Sequence, residues 1–286
     1  MANTVFDRPD RKVRLDRISA DPPKGMTREK AEKRFATLGD ELFSLQEALY
    51  AAKVNSVLVV LQGRDTAGKD GTIKHVVGCL DPRGVAVTAF GVPTLEERQH
   101  DFLWRVHRHA PRQGEFAIFN RSHYEDVLVV RVHDLLPETI WKERFGHIRD
   151  FEELLAEHGT IVLKYFLHIT KDEQKQRLLE REESSQTAWK LNPNDWKERD
   201  HWDAYTRAYE DAISRTSAKH APWTVVPANA KWYRNLVIAE SIVDALKDRR
   251  KGWEETLVAM GKAGRAELDA YRAQVAAAKG GKKARK

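Results

Sequence analysis

From Thr27 onward the chain alternates between two kinds of apolar pattern. Ala31, Phe35, Leu38, Leu42, Leu45 and Leu49 recur at steps of four and three, which puts them on one stripe of a helix opening at Thr27 and ending near Lys53. The run Ser56-Val-Leu-Val-Val-Leu-Gln62 follows. It is short, aliphatic and β-branched, as a strand buried on both faces of a parallel sheet has to be. Similar runs recur at Val85–Phe90, Phe116–Phe119, Thr160–Ile169 and Trp223–Pro227. Helical stretches lie between them. Thr94 with Glu97, and Thr170 with Glu173, have capping-box spacing, and Pro137 suits the first turn of a helix running through Phe151 and Leu155. Buried strands alternating with helices predict an α/β fold: three layers, α/β/α, around a five-stranded parallel sheet with right-handed crossovers.

Outside that core the pattern changes. Residues 1–26 are polar and proline-containing and predict an extended N-terminal arm. Residues 27–250 form the α/β domain, within which about 171–205, dense in charge and broken by Asn192-Pro193-Asn194, predict a helical lid. Residues 251–286 predict a last helix and a frayed basic tail, GGKKARK. Trp253, Leu257, Met260, Leu268 and Tyr271 share one side of that helix, ready to pack on the core or on another subunit.

Composition narrows the setting more than the chemistry. No apolar run approaches the roughly 20 residues of a membrane helix, and MANTVFDRPDRKVRL lacks the apolar stretch of an export signal. The single cysteine, Cys79, excludes an internal disulfide, and the expected location is the cytoplasm. Lys and Arg total 49 against 43 Asp and Glu, a net charge of +6. Nucleic acid, polyphosphate and nucleotides would all suit such a surface, so the motifs have to decide.

The decisive spacing is Gly63-x4-Gly68-Lys69, set between the first buried strand and a helical stretch, Gly71 to Val77. Glycines let the backbone turn tightly and aim successive N–H groups at an anion, the helix N-terminus adds partial positive charge, and Lys69 adds a full one. This is a P-loop, and the strand-loop-helix placement argues against a chance glycine-rich turn. Candidate phosphate-binding residues are Gly63, Arg64, Thr66, Ala67, Gly68, Lys69, Asp70 and Lys74. Asp70 stands where P-loop enzymes usually carry a Mg²⁺-binding Ser or Thr. It has a bland reading as a first-turn acid favoured by the helix dipole. Asp65, inside the anion-binding loop, has no such reading. A carboxylate is unfavourable there unless it binds a metal or activates a nucleophile.

A second cluster, Phe119-Asn-Arg-Ser-His-Tyr-Glu-Asp126, ends the third strand, where open α/β sheets bind ligands, so Arg121 should enter the same crevice as Lys69. Ser122 with Glu125 also fits a capping box, Asp126 is equally ambiguous, and His123 reads as a structural histidine. In the lid, Arg177 and Arg181 lie one turn apart and can close over a transferring phosphoryl group, or can simply belong to a solvated face. Trp189, Trp196, Trp202 and Tyr205 read as packing residues.

With these residues assembled, the chain resembles the polyphosphate kinase 2 family. The resemblance rests on GRDTAGKDG (63–71), FGVPT (90–94), LWRVHRHAPRQGE (103–115), FNRSHYEDVLVVRV (119–132), FLHITKDEQKQRL (166–178), APW (221–223) and PANAKWYRN (227–235). It implies a thymidylate-kinase-like fold, phosphoryl transfer between inorganic polyphosphate and AMP or ADP, with guanine nucleotides as further acceptors, Mg²⁺ as cofactor, and a homodimer or homotetramer. Nucleic acid and membranes are not expected partners. By the same resemblance, Asp65, Lys69, Arg121, Arg177 and Arg181 are the catalytic set, Asn120, Arg121 and Glu125 bind the nucleotide, and Asp65 and Asp126 are the metal ligands. Asn120, where many members carry an acid, resembles the subgroup that accepts AMP as well as ADP. The rival readings are an ATP-dependent nucleoside monophosphate kinase and a polyanion-binding protein with a vestigial loop. The intact Lys69 and the lack of a nucleic-acid motif speak against the second.

Overall fold

The computed structural model describes residues 4–183, 185 and 188–283. Strand β1 (Thr4–Phe6) comes first. Thr27 then accepts a bond from the Lys30 amide and opens α1 (Arg28–Ala52), which Lys53 closes in the left-handed conformation. The predicted stripe is the buried one, with Leu42, Leu45 and Leu49 fully enclosed. Next come β2 (Ser56–Gly63), α2 (Lys69–His75), β3 (Val85–Ala89), the short α3 (Trp104–His107), β4 (Phe116–Asn120), α4 (Glu125–Val132) and α5 (Glu138–Glu157). The remainder is β5 (Thr160–His168), α6 (Lys171–Glu183), α7 (Pro193–Glu198), α8 (Trp202–Thr216), β6 (Trp223–Pro227), α9 (Lys231–Lys247) and α10 (Arg250–Lys283). Ala284 to Lys286 of the expected frayed tail lie outside the described residues, while residues 280–283 continue α10.

Strand β2 is buried throughout and serves two cores. Val57, Val59 and Leu61 pack with α1, α9 and Trp253 of α10, whereas Leu58 and Val60 pack with α4, α5 and α8. This gives the three expected layers. The sheet order is β1-β6-β5-β2-β4-β3, so it has six strands rather than five. The five predicted strands are parallel, and β1 adds antiparallel to β6, pairing Thr4 with Val225 and Phe6 with Trp223. Three residues are too few to show a period, which is why β1 escapes a sequence reading. Burial of Phe6, Val13, Leu15 and Ala20 seats the N-terminal arm on the domain.

After β2 the chain lays β3 and β4 on one side and β5 and β6 on the other. This reversal of direction opens a crevice at the carboxyl end of β2, where the glycine loop lies. Among the described residues no helix is long and apolar enough to cross a membrane.

Candidate active site

The loop is shaped from outside by α6. Gln174 donates to the Asp65 carbonyl at 3.0 Å, and Arg177 Nη1 donates to the carbonyls of Thr66 and Ala67 at 2.9 and 3.1 Å. Arg177 Nη2 reaches the Ala228 and Asn229 carbonyls, and its Nε bonds Glu173. A guanidinium has five N–H donors, and all are taken here. Arg177 is therefore a buried brace for the loop; it also lines the cavity beside Lys69, but every one of its donors is held by protein. The brace holds Thr66 at φ 63°, a conformation that L residues rarely adopt. With these carbonyls drawn outward, the loop amides are left to face an anion.

Lys69 opens α2 and its Nζ donates to the Gly63 and Arg64 carbonyls at 2.7 and 3.2 Å. Burial, and then the charge of Arg121, lower its pKa. Across from it, at the end of β4, Arg121 also takes a left-handed φ of 63°. Its Nη2 donates to Asp65 Oδ1 at 2.7 Å, and its Nη1 lies 3.7 Å from Glu125 Oε2. Burial works against the Arg121 charge, but Glu125 and Asp65 outweigh it and raise its pKa. Glu125 is not a capping-box partner, because Ser122 Oγ takes the Tyr124 amide and the Gln62 side chain instead. Burial pushes the Glu125 carboxyl up. Asp70, well exposed, accepts from Lys190 at 2.8 Å and from Asn120 Nδ2 at 2.9 Å, and these bonds lower its pKa.

Asp65, Lys69, Asp70, Asn120, Arg121 and Arg181 thus line one cavity of about 1250 Å³. Arg181 is held at its wall by Asp195 (2.7 Å). Four expected charged side chains lie outside the cavity: Glu125, behind Arg121, and Arg64, Lys74 and Asp126. The Arg64 guanidinium sits 3.6 Å over the Trp202 ring and bonds Thr206, so its side chain anchors α8 rather than a phosphate. Lys74 is exposed and outside the cavity, since five residues along a helix turn it about 140° from Lys69. Asp126, expected as a metal ligand, is paired with Arg105 (3.3 Å) and Arg144 (3.1 Å) outside the cavity; one step along α4 separates its face from that of Glu125.

His123 and Tyr124 also turn away from the cavity. Tyr124 donates to Glu152 at 2.9 Å, His123 lies against the same carboxylate, and Lys164 pairs with it at 2.5 Å, all fully buried. These residues hold the end of β4 to the core. Sequence reasoning missed Lys190 as the partner of Asp70, and Arg28, Lys231 and Arg234 as cavity residues, because a lone cation on a helix carries no spacing signal. Trp189, expected to pack, is 78% exposed at the cavity rim.

A buried strand ending in a glycine loop, a lysine starting the next helix, and an arginine–carboxylate pair facing it from the neighbouring strand define a P-loop phosphotransferase. The family model described as Polyphosphate kinase 2 matches residues 25–254. The AMP/ADP-polyphosphate phosphotransferase of Meiothermus ruber is 49% identical over 241 residues, covering 84% of this chain and 90% of that protein. The ADP-polyphosphate phosphotransferase of Rhodopseudomonas palustris is 40% identical over 229 residues, covering 76% and 79%. The crystal structure of polyphosphate kinase 2 from Arthrobacter aurescens TC1 aligns with a TM-score of 0.80 at 40% identity, covering 85% of this chain and 90% of that one. The chain belongs to the polyphosphate kinase 2 family.

Proposed function

We propose that the chain transfers phosphoryl groups from inorganic polyphosphate to AMP and to ADP, and that the transfer is reversible. The observation that carries this reading is the Asp65–Arg121 pair, set inside the phosphate loop and facing a cavity ringed by cations. The relatives' names, which carry AMP, ADP and polyphosphate, agree with it.

In this reading the terminal phosphoryl group of the donor lies over the loop amides and Lys69. The acceptor phosphate enters from the β4 side, between Asn120 and Arg121. Arg121 and Arg181 offset the charge that spreads over the transferring group, while the rigid loop fixes an in-line approach. Glu125 orients Arg121 from behind and is not itself an acceptor contact.

The donor set fits a divalent cation. Mg²⁺ is usually held by one or two carboxylates, with phosphate oxygens and water completing its octahedron. Asp65 lines the cavity with Oδ1 on Arg121 and is the residue that would hold it, with Asp70 second. Held there, a divalent cation would supply neutralisation of phosphate charge beside Lys69 and Arg121. The exposed Met260, Leu268 and Tyr271 of α10 support a homodimer or homotetramer, and the single Cys79 suits the cytoplasm. Guanine nucleotides belong in the acceptor screen beside adenine ones.

The test is donor choice. AMP and long-chain polyphosphate with Mg²⁺ and no ATP are expected to give ADP and then ATP. Absence of product, with AMP phosphorylation appearing only when ATP is added, would assign the chain to ATP-dependent monophosphate kinases instead.

A further inference from the structure

Two buried arginines lie against the phosphate loop, and they differ in one respect. Arg177 has every donor occupied by protein. Arg234, in the first turn of α9 and only 2% exposed, does not. Its Nε and Nη2 both donate to a single neutral acceptor, Asn235 Oδ1, at 3.1 and 2.8 Å. Among the described residues Nη1 has no protein acceptor and no carboxylate pairs with the group. Burial, and then the charge of a second cation, Arg177, bring its pKa down to about 10.

The guanidinium rests directly on the loop backbone. A Cβ on Gly68 would fall 1.8 Å from Nη1, and one on Gly71 would fall 2.9 Å from Nη2. Gly68 already needs to be glycine for its φ of 108°, and this close approach requires it a second time. Arg234 lines the same cavity as Lys69, together with Lys231 and Arg28. It does so from the β6 side of β2, opposite the β4 side that carries Asn120 and Arg121.

A buried cation without a partner destabilises a free protein, and an anion brought to it relieves that cost. We propose that Arg234 is a phosphate ligand on the donor side, its free Nη1 binding an internal phosphate of the polyphosphate chain while the terminal phosphoryl group occupies the loop. This rests on the donor reading above and adds to it a residue that selects for a chain of linked phosphates. Farther out the wall carries Arg28, paired with Glu32 at 2.7 Å, and Lys231, 3.9 Å from Glu180, so Arg234 is the cation there that no carboxylate neutralises among the described residues.

The test compares wild type with Arg234→Met, which keeps volume and removes charge, and with Arg234→Lys, which keeps charge without the planar fork. Melting is recorded for the free protein, with long-chain polyphosphate, and separately with ADP. For Arg234→Met the free protein is expected to melt at or above the wild-type temperature. The polyphosphate-induced shift should vanish, KM for polyphosphate should rise at least about tenfold, and KM for ADP should stay within about twofold. Arg234→Lys should fall between the two. A lower melting point or failure to fold would make Arg234 a structural clamp and overturn the proposal, as would an unchanged polyphosphate shift or an equal loss for both ligands. If wild type itself does not use polyphosphate, the donor reading fails. If wild type does and Arg234→Met matches it, only this inference fails.

Discussion

Arg121 donates from Nη2 to Asp65 Oδ1 at 2.7 Å, joining the end of β4 to the interior of the phosphate loop. The bond answers the question that Asp65 raises. The carboxylate is tolerated in an anion cradle because a guanidinium from the next strand neutralises it.

Asp65→Asn keeps the shape and removes the charge. It should lower kcat by about 10²–10³ and weaken the dependence on Mg²⁺, with little change in melting temperature. A steady-state Mg²⁺ titration decides the matter: a variant that keeps wild-type kcat and metal response would sink the assignment.

Arg177 and Arg181, one turn apart on α6, should behave differently. Arg177→Met strands four carbonyls and the Glu173 carboxylate, so thermal unfolding should show a loss of about 3–5 kcal/mol. Arg181→Ala, at the cavity wall, should leave the melting curve near wild type and lower kcat. A wild-type melting curve for Arg177→Met with donor binding abolished would restore it as a phosphate ligand.

Asn120→Asp would set a second carboxylate against Asp70, across a contact now 2.9 Å long. The extra charge should repel AMP, whose reacting phosphate lies closest to the nucleoside, more than ADP. Like charges so placed cost on the order of 1–2 kcal/mol, so kcat/KM for AMP should fall about tenfold further than for ADP. Equal losses on the two acceptors would contradict the specificity role.

The Glu152–Lys164 pair predicts an acid limit to stability. Burial alone would raise the Glu152 carboxyl, but Lys164 and His123 outweigh it and hold it below its ordinary 4.5. The stabilisation is thus fully present above that value and is lost as pH falls through the lowered one. Melting between about pH 7 and pH 3 should show wild type losing its advantage over Glu152→Gln on the acid side. A gap that stays constant across the range would refute this. Lys164→Met alone should cost about 3–5 kcal/mol by leaving a buried carboxylate unpaired, and Lys164→Met with Glu152→Leu should recover much of it.

The five parallel strands, the helix from Thr27 and the loop itself were legible because each is a local signal: a buried run, a stripe, a glycine spacing. What was not legible depends on rotation and distance. Lys74 and Asp126 sit beside functional residues in sequence but on other helix faces. Arg64 is claimed by Trp202, 138 residues away, and Arg177 by carbonyls of the loop it was expected to close over. No spacing rule records such pairings, because they are made only when α6, α8 and α9 pack around β2.

The brace that Arg177 and Gln174 apply to the carbonyls of Asp65, Thr66 and Ala67 has a consequence for protein engineering. Residues 63–69 transplanted into another kinase would carry their spacing but not their shape, because the shape is imposed by α6. A working graft has to bring the loop and α6 together, with the Ala228–Asn229 backbone that shares the same guanidinium.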